Sequence, residues 1–137
     1  MEKTFTILKP DTVKAGNVGT IISRLQKEGF RIRALKMVHL TEQQAQGFYY
    51  VHKDRPFFKD LVKFMTEGPI IPMVLEAENA IEKLRRVMGA TDPAKADAGT
   101  IRKEFGTNIE RNAIHGSDGP DTAAYEISYF FSQLELN

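Results

Sequence analysis

The segment Asn112-Ala113-Ile114-His115-Gly116-Ser117-Asp118 decides which architecture the sequence predicts. Elements upstream of it follow the order β-α-β-α-β-α-loop, and the pattern contains βαββαβ if a short strand lies near Ile114 and His115. That pattern is typical of the ferredoxin-like arrangement, a sandwich in the α+β class. The same fold carries many unrelated activities, so function has to be argued from individual residues.

Three strands are predicted before this segment, over residues 4–8, 30–40 and 70–77. A slip in the alternation at Ala34 and Leu35 indicates a β-bulge in the second strand. Pro72 lacks a backbone N–H, which predicts that the third strand either lies at the edge of the sheet or carries a bulge. Apolar periodicity and capping signals predict helices over residues 17–29 and 100–105, and helices that begin near Thr41, Pro56 and Asn79.

Residues 89–116 form a predicted long structured loop, punctuated by four glycines and Pro93. A loop of this length inside a compact domain is usually functional. Residues 123–131 fit a helix that starts near Pro120. They also fit an alternating strand with Tyr125, Ile127 and Tyr129 on one face, and periodicity alone does not choose between the two.

The composition is that of one ordinary globular domain over residues 1–137, with 19 basic and 18 acidic side chains and a net charge of +1. This balance argues against a broadly polycationic nucleic-acid binder, but it allows a local basic pocket. The absence of cysteine excludes disulfides, zinc–thiolate sites, iron–sulfur clusters and thiol catalysis. No apolar run approaches the roughly 18 residues of a membrane span, and no signal-like segment begins the chain, so a cytoplasmic location is expected.

Among the three histidines, His115 has the surroundings of a reactive group, because the Gly-Ser-Asp that follows leaves its backbone approachable and adds hydrogen-bonding groups. Neutral imidazole is a good nucleophile and proton carrier near pH 7. On local sequence alone, a turn histidine before a capped helix is the slightly favoured alternative. His39 and His52 are predicted to be surface or boundary residues.

Three side chains are suited to holding phosphate groups. Arg85 falls on the apolar stripe of the helix after Asn79, where a charged group needs either a carboxylate or a bound anion. Arg102 and Thr91 lie in the punctuated loop, and each of them, taken singly, fits an exposed charge or a cap equally well. The chain lacks the glycine-rich fingerprints of P-loop and Rossmann proteins, which excludes those two modes of phosphate binding.

Two further residues have a functional and a structural interpretation. Phe57 lies off the apolar stripe of its helix, and an aromatic ring there can stack on a base. A place in an interface or a satellite core suits it about as well. Glu126 can orient His115 by accepting an N–H, and otherwise it is a solvated carboxylate.

Together these residues resemble the nucleoside diphosphate kinase family. Residues 112–118 match the active-site motif of that family, and the match extends from residue 4 to residue 118, nearly the whole chain. Five motifs in the family's order are highly specific, and the short C-terminus looks like that of bacterial-type members. The other four motifs are Thr6-Ile-Leu-Lys9-Pro10-Asp11, Lys53-Asp-Arg-Pro-Phe57-Phe58, Gly89-Ala-Thr91-Asp-Pro93 and Gly99-Thr-Ile-Arg102.

The resemblance implies that His115 takes the γ-phosphate of a nucleoside triphosphate and passes it to a diphosphate. It implies that Glu126 and Ser117 orient and polarise the ring, and that Lys9 and Tyr49 lie beside the transferring group. The implied nucleotide contacts are Arg85, Thr91 and Arg102 to the phosphates, Lys9 and Asn112 to the ribose, and Phe57 and Ile109 to the two faces of the base.

The resemblance also implies a ping-pong phosphotransferase with low base specificity that works with Mg²⁺, the metal being held mainly by the nucleotide. ATP is the expected main donor, a homo-oligomer is expected, and neither a membrane nor a specific nucleic acid is an expected partner. The implied fold is a four-stranded antiparallel sheet with helices on its faces, and residues 123–131 are implied to be helical.

Two other classes of protein are weighed against this one. An RNA-recognition motif shares the βαββαβ order, but the aromatic Lys/Arg-Gly-Phe/Tyr run of that module is missing from both residues 4–8 and residues 70–77. A non-catalytic nucleotide sensor would need the phosphate-binding residues but not His115 in its Gly-Ser-Asp context. Phosphotransfer by a His115→Ala variant separates the sensor from the kinase.

Overall fold

The computed structural model describes every residue from Met1 to Asn137 and contains one sheet of four strands with seven α-helices. None of the helices combines the length and the apolar composition that crossing a bilayer requires. The strands are β1 (Glu2–Leu8), β2 (Arg31–Leu35), β3 (Ile71–Ala77) and β4 (Ile114–Gly116). The helices are α1 (Pro10–Ala15), α2 (Val18–Lys27), α3 (Glu42–Phe48), α4 (Phe58–Met65), α5 (Ala80–Met88), α6 (Ile101–Phe105) and α7 (Pro120–Phe130).

The sheet has the strand order β2-β3-β1-β4, and each neighbouring pair is antiparallel. Strands β1 and β3 make the long central ladder, from Glu2 opposite Ala77 to Leu8 opposite Ile71. The βαββαβ core consists of β1, α2, β2, β3, α5 and β4, and the pair α3 and α4 is inserted between β2 and β3. The predicted α+β ferredoxin-like fold with a four-stranded antiparallel sheet is confirmed.

Alternation along β1 and β3 divides the apolar core into two layers. On one face, Leu8 and Met73 pack with residues of α2 and α5 such as Leu25 and Leu84. On the other face, Phe5 and Ile7 of β1 pack with Phe48, Tyr49 and Phe64 around α3 and α4. Helices therefore cover both faces of the sheet, and α7 adds Ile127 and Phe130 to the second layer.

The prediction of an edge position for the Pro72 strand is wrong, because β3 lies between β2 and β1. The Pro72 carbonyl accepts a hydrogen bond from the Lys36 N–H, just beyond the last residue of β2. In a strand, the N–H and C=O of one residue point to the same side. The nitrogen of Pro72, which has no hydrogen to donate, therefore faces the chain just beyond the end of β2. The predicted bulge is confirmed in β2, where the register shifts between Ile32 and Ala34.

Two helix starts differ from the sequence-based expectation. Pro10 begins the short helix α1, where the sequence predicted only the end of a strand, and its fixed φ suits the first helical position. Asn79 is in the left-handed region with φ of 49° and makes no side-chain cap. The carboxylate of Glu2 accepts from the Ile81 N–H at 2.9 Å instead and ties α5 to β1.

Strand β4 places His115 on the face of the sheet that carries Phe5 and Ile7. His115 pairs directly with Ile7, and its carbonyl accepts a 2.7 Å hydrogen bond from the buried hydroxyl of Thr6. A Cβ at Gly116 would lie 2.8 Å from the end of the Met88 side chain, so a larger residue there would require Met88 to move. The imidazole lies at the β4 edge of the sheet, in contact with Glu126 of α7.

Removal of the Glu2 cap by Glu2→Ala should lower the free energy of unfolding by about 1 kcal/mol, because the Ile81 N–H loses a charged acceptor. Chemical denaturation of both proteins measures this change. Glu78→Ala is the matched control, since Glu78 is an exposed residue of the same turn, and we expect it to stay within about 0.5 kcal/mol of the native protein. Equal losses for the two variants would contradict the capping role.

Candidate active site

One cleft of about 480 Å³ is lined by every predicted site residue except Ser117. The chain between α3 and α4 forms one wall of the cleft, with Tyr49 and Phe57. The segment from α5 to β4 forms the other wall, with Arg85, Arg102 and Asn112. We call this space, with His115 at its base, the His115 cleft.

The His115 ring is held by a carboxylate from α7. Nε2 of His115 lies 2.8 Å from Oε1 of Glu126, and the buried hydroxyl of Ser117 donates to the same oxygen at 2.6 Å. A carboxylate can only accept hydrogen bonds, so the imidazole must carry its proton on Nε2. The lone pair of a neutral ring is then on Nδ1.

Aromatic side chains fix the plane of the imidazole. The rings of Phe5, Phe48 and Tyr49 meet it edge-on or in tilted T-shaped geometry, with centroid distances of 6.2, 5.7 and 6.3 Å. Because the ring is packed on these sides and bonded at Nε2, it has little freedom to rotate. A ring that is already oriented avoids part of the entropic cost of reaction.

The hydroxyl of Tyr49 is buried and has no hydrogen-bond partner. Burial, and to a lesser degree the nearby Glu126, raises the pKa of this phenol well above its usual value. The group is therefore a neutral O–H beside His115, and an unpaired buried donor is costly unless a ligand supplies the acceptor.

Lys9, Asn112 and Thr91 form a chain of hydrogen bonds across the cleft. The Lys9 Nζ donates to Oδ1 of Asn112 at 2.8 Å, and Nδ2 of Asn112 donates to the Thr91 carbonyl at 3.0 Å. Burial and the positive charge of Arg102 lower the pKa of Lys9 to about 8. The ammonium is thus held in the cleft without a carboxylate in direct contact, a suitable arrangement for a bound anion.

Arg102 joins the punctuated loop to β4. Its guanidinium donates to the carbonyls of Gly89 at 3.1 Å and Ile114 at 2.8 Å, while its Nε is buried and unpartnered. Burial, together with the nearby Arg85, lowers the pKa of Arg102 to about 10, so the group stays cationic at neutral pH. Lys9 and Arg102 are thus two buried cations in the lining of one cleft, and clustered positive charge of this kind favours a bound anion.

Arg85 departs from its predicted environment. It is about half exposed (51%), and it pairs at 2.6 Å with Asp118, which is 78% exposed. The buried stripe of α5 consists of Ala80, Ile81, Leu84 and Met88, so position 85 falls at the border of the stripe and its long side chain reaches solvent. The ion pair lies at the rim of the His115 cleft.

Phe57 and Ile109 lie on the walls of the cleft, and both are exposed, at 44% and 61%. The guanidinium of Arg55 lies 5.7 Å from the Phe57 ring centroid and the imidazole of His52 lies 5.4 Å from it. An apolar ring and an aliphatic side chain offer flat surfaces for a planar group.

Sequence reasoning missed several residues of this cleft. His52 lines it, although the sequence predicted only a surface or boundary residue. Glu110 and Asp118 also line it, and their proximity comes from tertiary folding of the loop, which leaves no periodic signal in the sequence. The remaining additional lining residues are Phe48, Val51, Leu61, Met88, Gly116 and Thr122.

No three acidic or histidine side chains converge in a way that could hold a metal ion. In the cleft, Glu126 is engaged by His115 and Ser117, and Asp118 is engaged by Arg85.

The family model for nucleoside diphosphate kinase matches residues 2–136. The nucleoside diphosphate kinase of Geobacter sulfurreducens is 59% identical over 136 residues, and that of Geotalea uraniireducens is 56% identical. In both comparisons 99% of each chain is covered.

The solved structures that this chain resembles are also nucleoside diphosphate kinases. A crystal form of the Aquifex aeolicus nucleoside diphosphate kinase matches with a TM-score of 0.97 and 47% identity, over 99% of both chains. The enzyme from Halobacterium salinarum, in complex with CDP, matches with a TM-score of 0.95 and 41% identity, over 99% of this chain and 91% of that one. The match over residues 2–136, the identity to curated relatives and the shared fold show that this chain belongs to the nucleoside diphosphate kinase family.

Proposed function

We propose that this nucleoside diphosphate kinase, acting as a single catalytic domain, transfers the γ-phosphate through a covalent intermediate on Nδ1 of His115. The observation that carries the proposal is the 2.8 Å contact between Nε2 of His115 and Glu126. It commits the ring proton to Nε2 and leaves Nδ1 as the nucleophilic atom.

In the first half-reaction, the Nδ1 lone pair forms a bond to the γ-phosphorus, and the bond from phosphorus to the β-phosphate oxygen breaks. The nucleoside diphosphate leaves with that electron pair. The ring gains positive charge during attack, and the carboxylate of Glu126 stabilises it through the Nε2–H. A second diphosphate reverses these steps, so one site serves donor and acceptor in turn.

Phosphoryl transfer depends mainly on positioning and on stabilising charge. Lys9 and the unpaired hydroxyl of Tyr49 flank His115 and supply donors to the transferring group. Arg102 and Thr91 lie further along the cleft wall, where they suit the remaining phosphates. Asn112 already holds the Lys9 ammonium at 2.8 Å, and we assign that pair to the ribose hydroxyl.

We assign Mg²⁺ to the substrate, because the cleft offers cationic and neutral donors but few unengaged carboxylates. When bound with the nucleotide, the ion would supply neutralisation of phosphate charge. Lys9, Arg85 and Arg102 would bind the phosphates themselves. Asp118 and Glu110 are the lining carboxylates of the type that would contact an ion brought by the nucleotide.

ATP is the proposed main donor, and we propose that the enzyme is a cytoplasmic homo-oligomer without a specific nucleic-acid partner. Support for assembly comes from β2, an edge strand with Leu35 and, just beyond it, Met37 exposed. Unpaired strand edges with apolar neighbours favour association.

Replacement of His115 by alanine should abolish transfer between nucleotides, while ADP binding survives, because His115 alone forms the covalent bond. Steady-state kinetics of the native protein should give parallel double-reciprocal lines. His39→Ala is the control, since His39 is an exposed residue outside the cleft. Intersecting lines, or an active His115→Ala variant, would rule out the covalent route.

Nucleotide binding at pH 9 should be accompanied by uptake of about half a proton or more. The pKa of Lys9 is lowered to about 8 in the free protein, so the amine is largely neutral at pH 9, and bound phosphate favours its charged form. Affinity should accordingly fall as the pH rises through 8. Calorimetry of ADP binding in buffers with different ionisation enthalpies measures the uptake.

The control for this experiment is Lys14→Met, an exposed lysine of α1, the helix that follows Lys9, and this variant should leave the uptake unchanged. Lys9→Met should remove it. A binding enthalpy of the native protein that is independent of the buffer would contradict the assignment of Lys9 to a phosphate-facing cation.

Arg85→Ala should lower kcat/KM by about tenfold or more. The exposed pair with Asp118 is worth at most about 1 kcal/mol, whereas charged hydrogen bonds to phosphate contribute roughly 1.5–3 kcal/mol, so Arg85 exchanges its partner when nucleotide binds. Arg86→Ala is the matched control, because Arg86 is the exposed neighbour outside the cleft. If ADP raises Tm equally in Arg85→Ala and the native protein, the arginine is only a structural ion-pair partner.

The enzyme should be nearly indifferent to the base. Phe57 and Ile109 offer surfaces that every base can stack on, and strong discrimination needs buried polar groups. We expect kcat/KM for ATP, GTP, CTP and UTP to lie within about two orders of magnitude. A preference of several thousand-fold would identify a base-reading polar group, and His52→Ala and Glu110→Ala would then show which cleft residue is responsible.

A further inference from the structure

We propose that Asp11 and Thr12 are positioning residues that hold Ala113 in a left-handed turn and thereby fix Asn112 and His115 relative to each other. The inference rests on the proposed transfer through His115. Neither Asp11 nor Thr12 lines the His115 cleft, so both act through the backbone of Ala113.

The turn itself is strained. Ala113 has a φ of 76°, and the Ile114 N–H donates to the Asn112 carbonyl at 2.9 Å. This hydrogen bond from residue i+2 to residue i, with a positive φ between, defines the less common form of γ-turn. Such a conformation is strained for a residue with a Cβ and persists only where the surroundings enforce it.

The enforcing contacts all come from the start of α1, about a hundred residues away in the chain. The Ala113 N–H donates to Oδ2 of Asp11 at 3.0 Å. The Ala113 carbonyl accepts from the Lys9 N–H at 3.0 Å and from the Thr12 hydroxyl at 2.8 Å. Both the N–H and the C=O of Ala113 are therefore hydrogen-bonded to this segment, and we call these three contacts the Ala113 clamp.

The Ala113 clamp includes a feature that lowers the stability of the folded protein. Asp11 has one buried oxygen, Oδ1, without a partner, and burial raises the pKa of its carboxyl. Leaving a buried acceptor unpaired lowers the stability of the folded state. Local features that cost stability and persist are characteristic of functional sites.

The residues on either side of Ala113 explain what the clamp is for. Asn112 holds the Lys9 ammonium and the Thr91 carbonyl, while the Ile114 carbonyl holds Arg102. His115 follows directly in β4. A relaxed backbone at Ala113 would rotate Asn112 away from His115. The Lys9 ammonium, which Asn112 holds beside the transferring phosphate, would move with it. Small misplacements of this kind can cost about a hundredfold in rate.

The test is a single-turnover measurement of His115 phosphorylation by ATP, together with the Kd for ADP, well below the Tm of every variant. Asp11→Ala and Thr12→Val should phosphorylate about tenfold or more slowly, with Kd changed by less than about threefold. Thr12→Ser keeps the hydroxyl and should stay near the native rate. Thr66→Val is the control for lost stability, because it removes a hydroxyl bond at the end of α4, outside the cleft.

A second-site variant separates positioning from a direct effect of the Asp11 charge. Glycine adopts positive φ without strain, so Asp11→Ala/Ala113→Gly should recover a large part of the rate that Asp11→Ala loses. An electrostatic effect of Asp11 on Lys9 would not be recovered by this change. The double variant also keeps the turn intact if Asp11→Ala alone folds poorly.

The proposal is overturned if Thr12→Val and Asp11→Ala lose no more rate than Thr66→Val, if Thr12→Ser is as slow as Thr12→Val, or if Ala113→Gly gives no recovery. The native enzyme provides the separate check on the proposed function. If native protein fails to form a phosphohistidine, the covalent mechanism is wrong. If native and clamp variants phosphorylate equally fast, only the clamp is wrong.

Discussion

The hydrogen bond between Nε2 of His115 and Glu126 is the interaction on which the proposed chemistry of this protein depends. It assigns the proton to one ring nitrogen and the lone pair to the other. Ser117 donates to the same carboxylate oxygen, which fixes the acceptor as well as the ring. A neutral histidine without this contact would exchange tautomers and rotate, so its nucleophilic atom would be undefined.

In the proposed mechanism, the rest of the fold presents that pair to the nucleotide phosphates. Strand β4 is only three residues long, yet its pairing with β1 and its close packing on α5 set the position of His115. The cations come from other parts of the chain: Lys9 from the end of β1, Arg85 from α5 and Arg102 from α6. Burial keeps Lys9 poorly solvated, and under the proposed function the energetic cost of that arrangement is offset when phosphate replaces water.

Sequence patterns predicted the order of the strands along the chain, the bulge in β2 and the helix that begins near Thr41, because these depend on local periodicity and local hydrogen bonding. They did not predict that β3 is a central strand. A central strand tolerates Pro72 here because the proline faces the place where β2 ends, and only the register of the sheet reveals that position. The Asp118 partner of Arg85 and the place of His52 in the cleft were missed for the same reason. Contacts between residues far apart in the chain leave no periodic signal.

The site residues were predicted from the resemblance to the family, because His115, Arg102 and Phe57 each have an ordinary structural interpretation when only the local sequence is considered. What geometry adds is the identity of atoms: which nitrogen is free, which hydroxyl is unpaired, and which lysine has lost solvent. The left-handed Ala113 was likewise invisible in sequence, because alanine carries no preference for positive φ.

The most direct test of this account is the position of the phosphate on the ring. Native protein labelled with nitrogen-15 at histidine is phosphorylated with ATP at neutral pH, and phosphorus and nitrogen NMR then identify the modified atom. The account predicts phosphate on Nδ1 of His115, with the Nε2–H retained. Phosphate on Nε2 would contradict it, because that nitrogen cannot attack phosphorus while it donates its proton to Glu126.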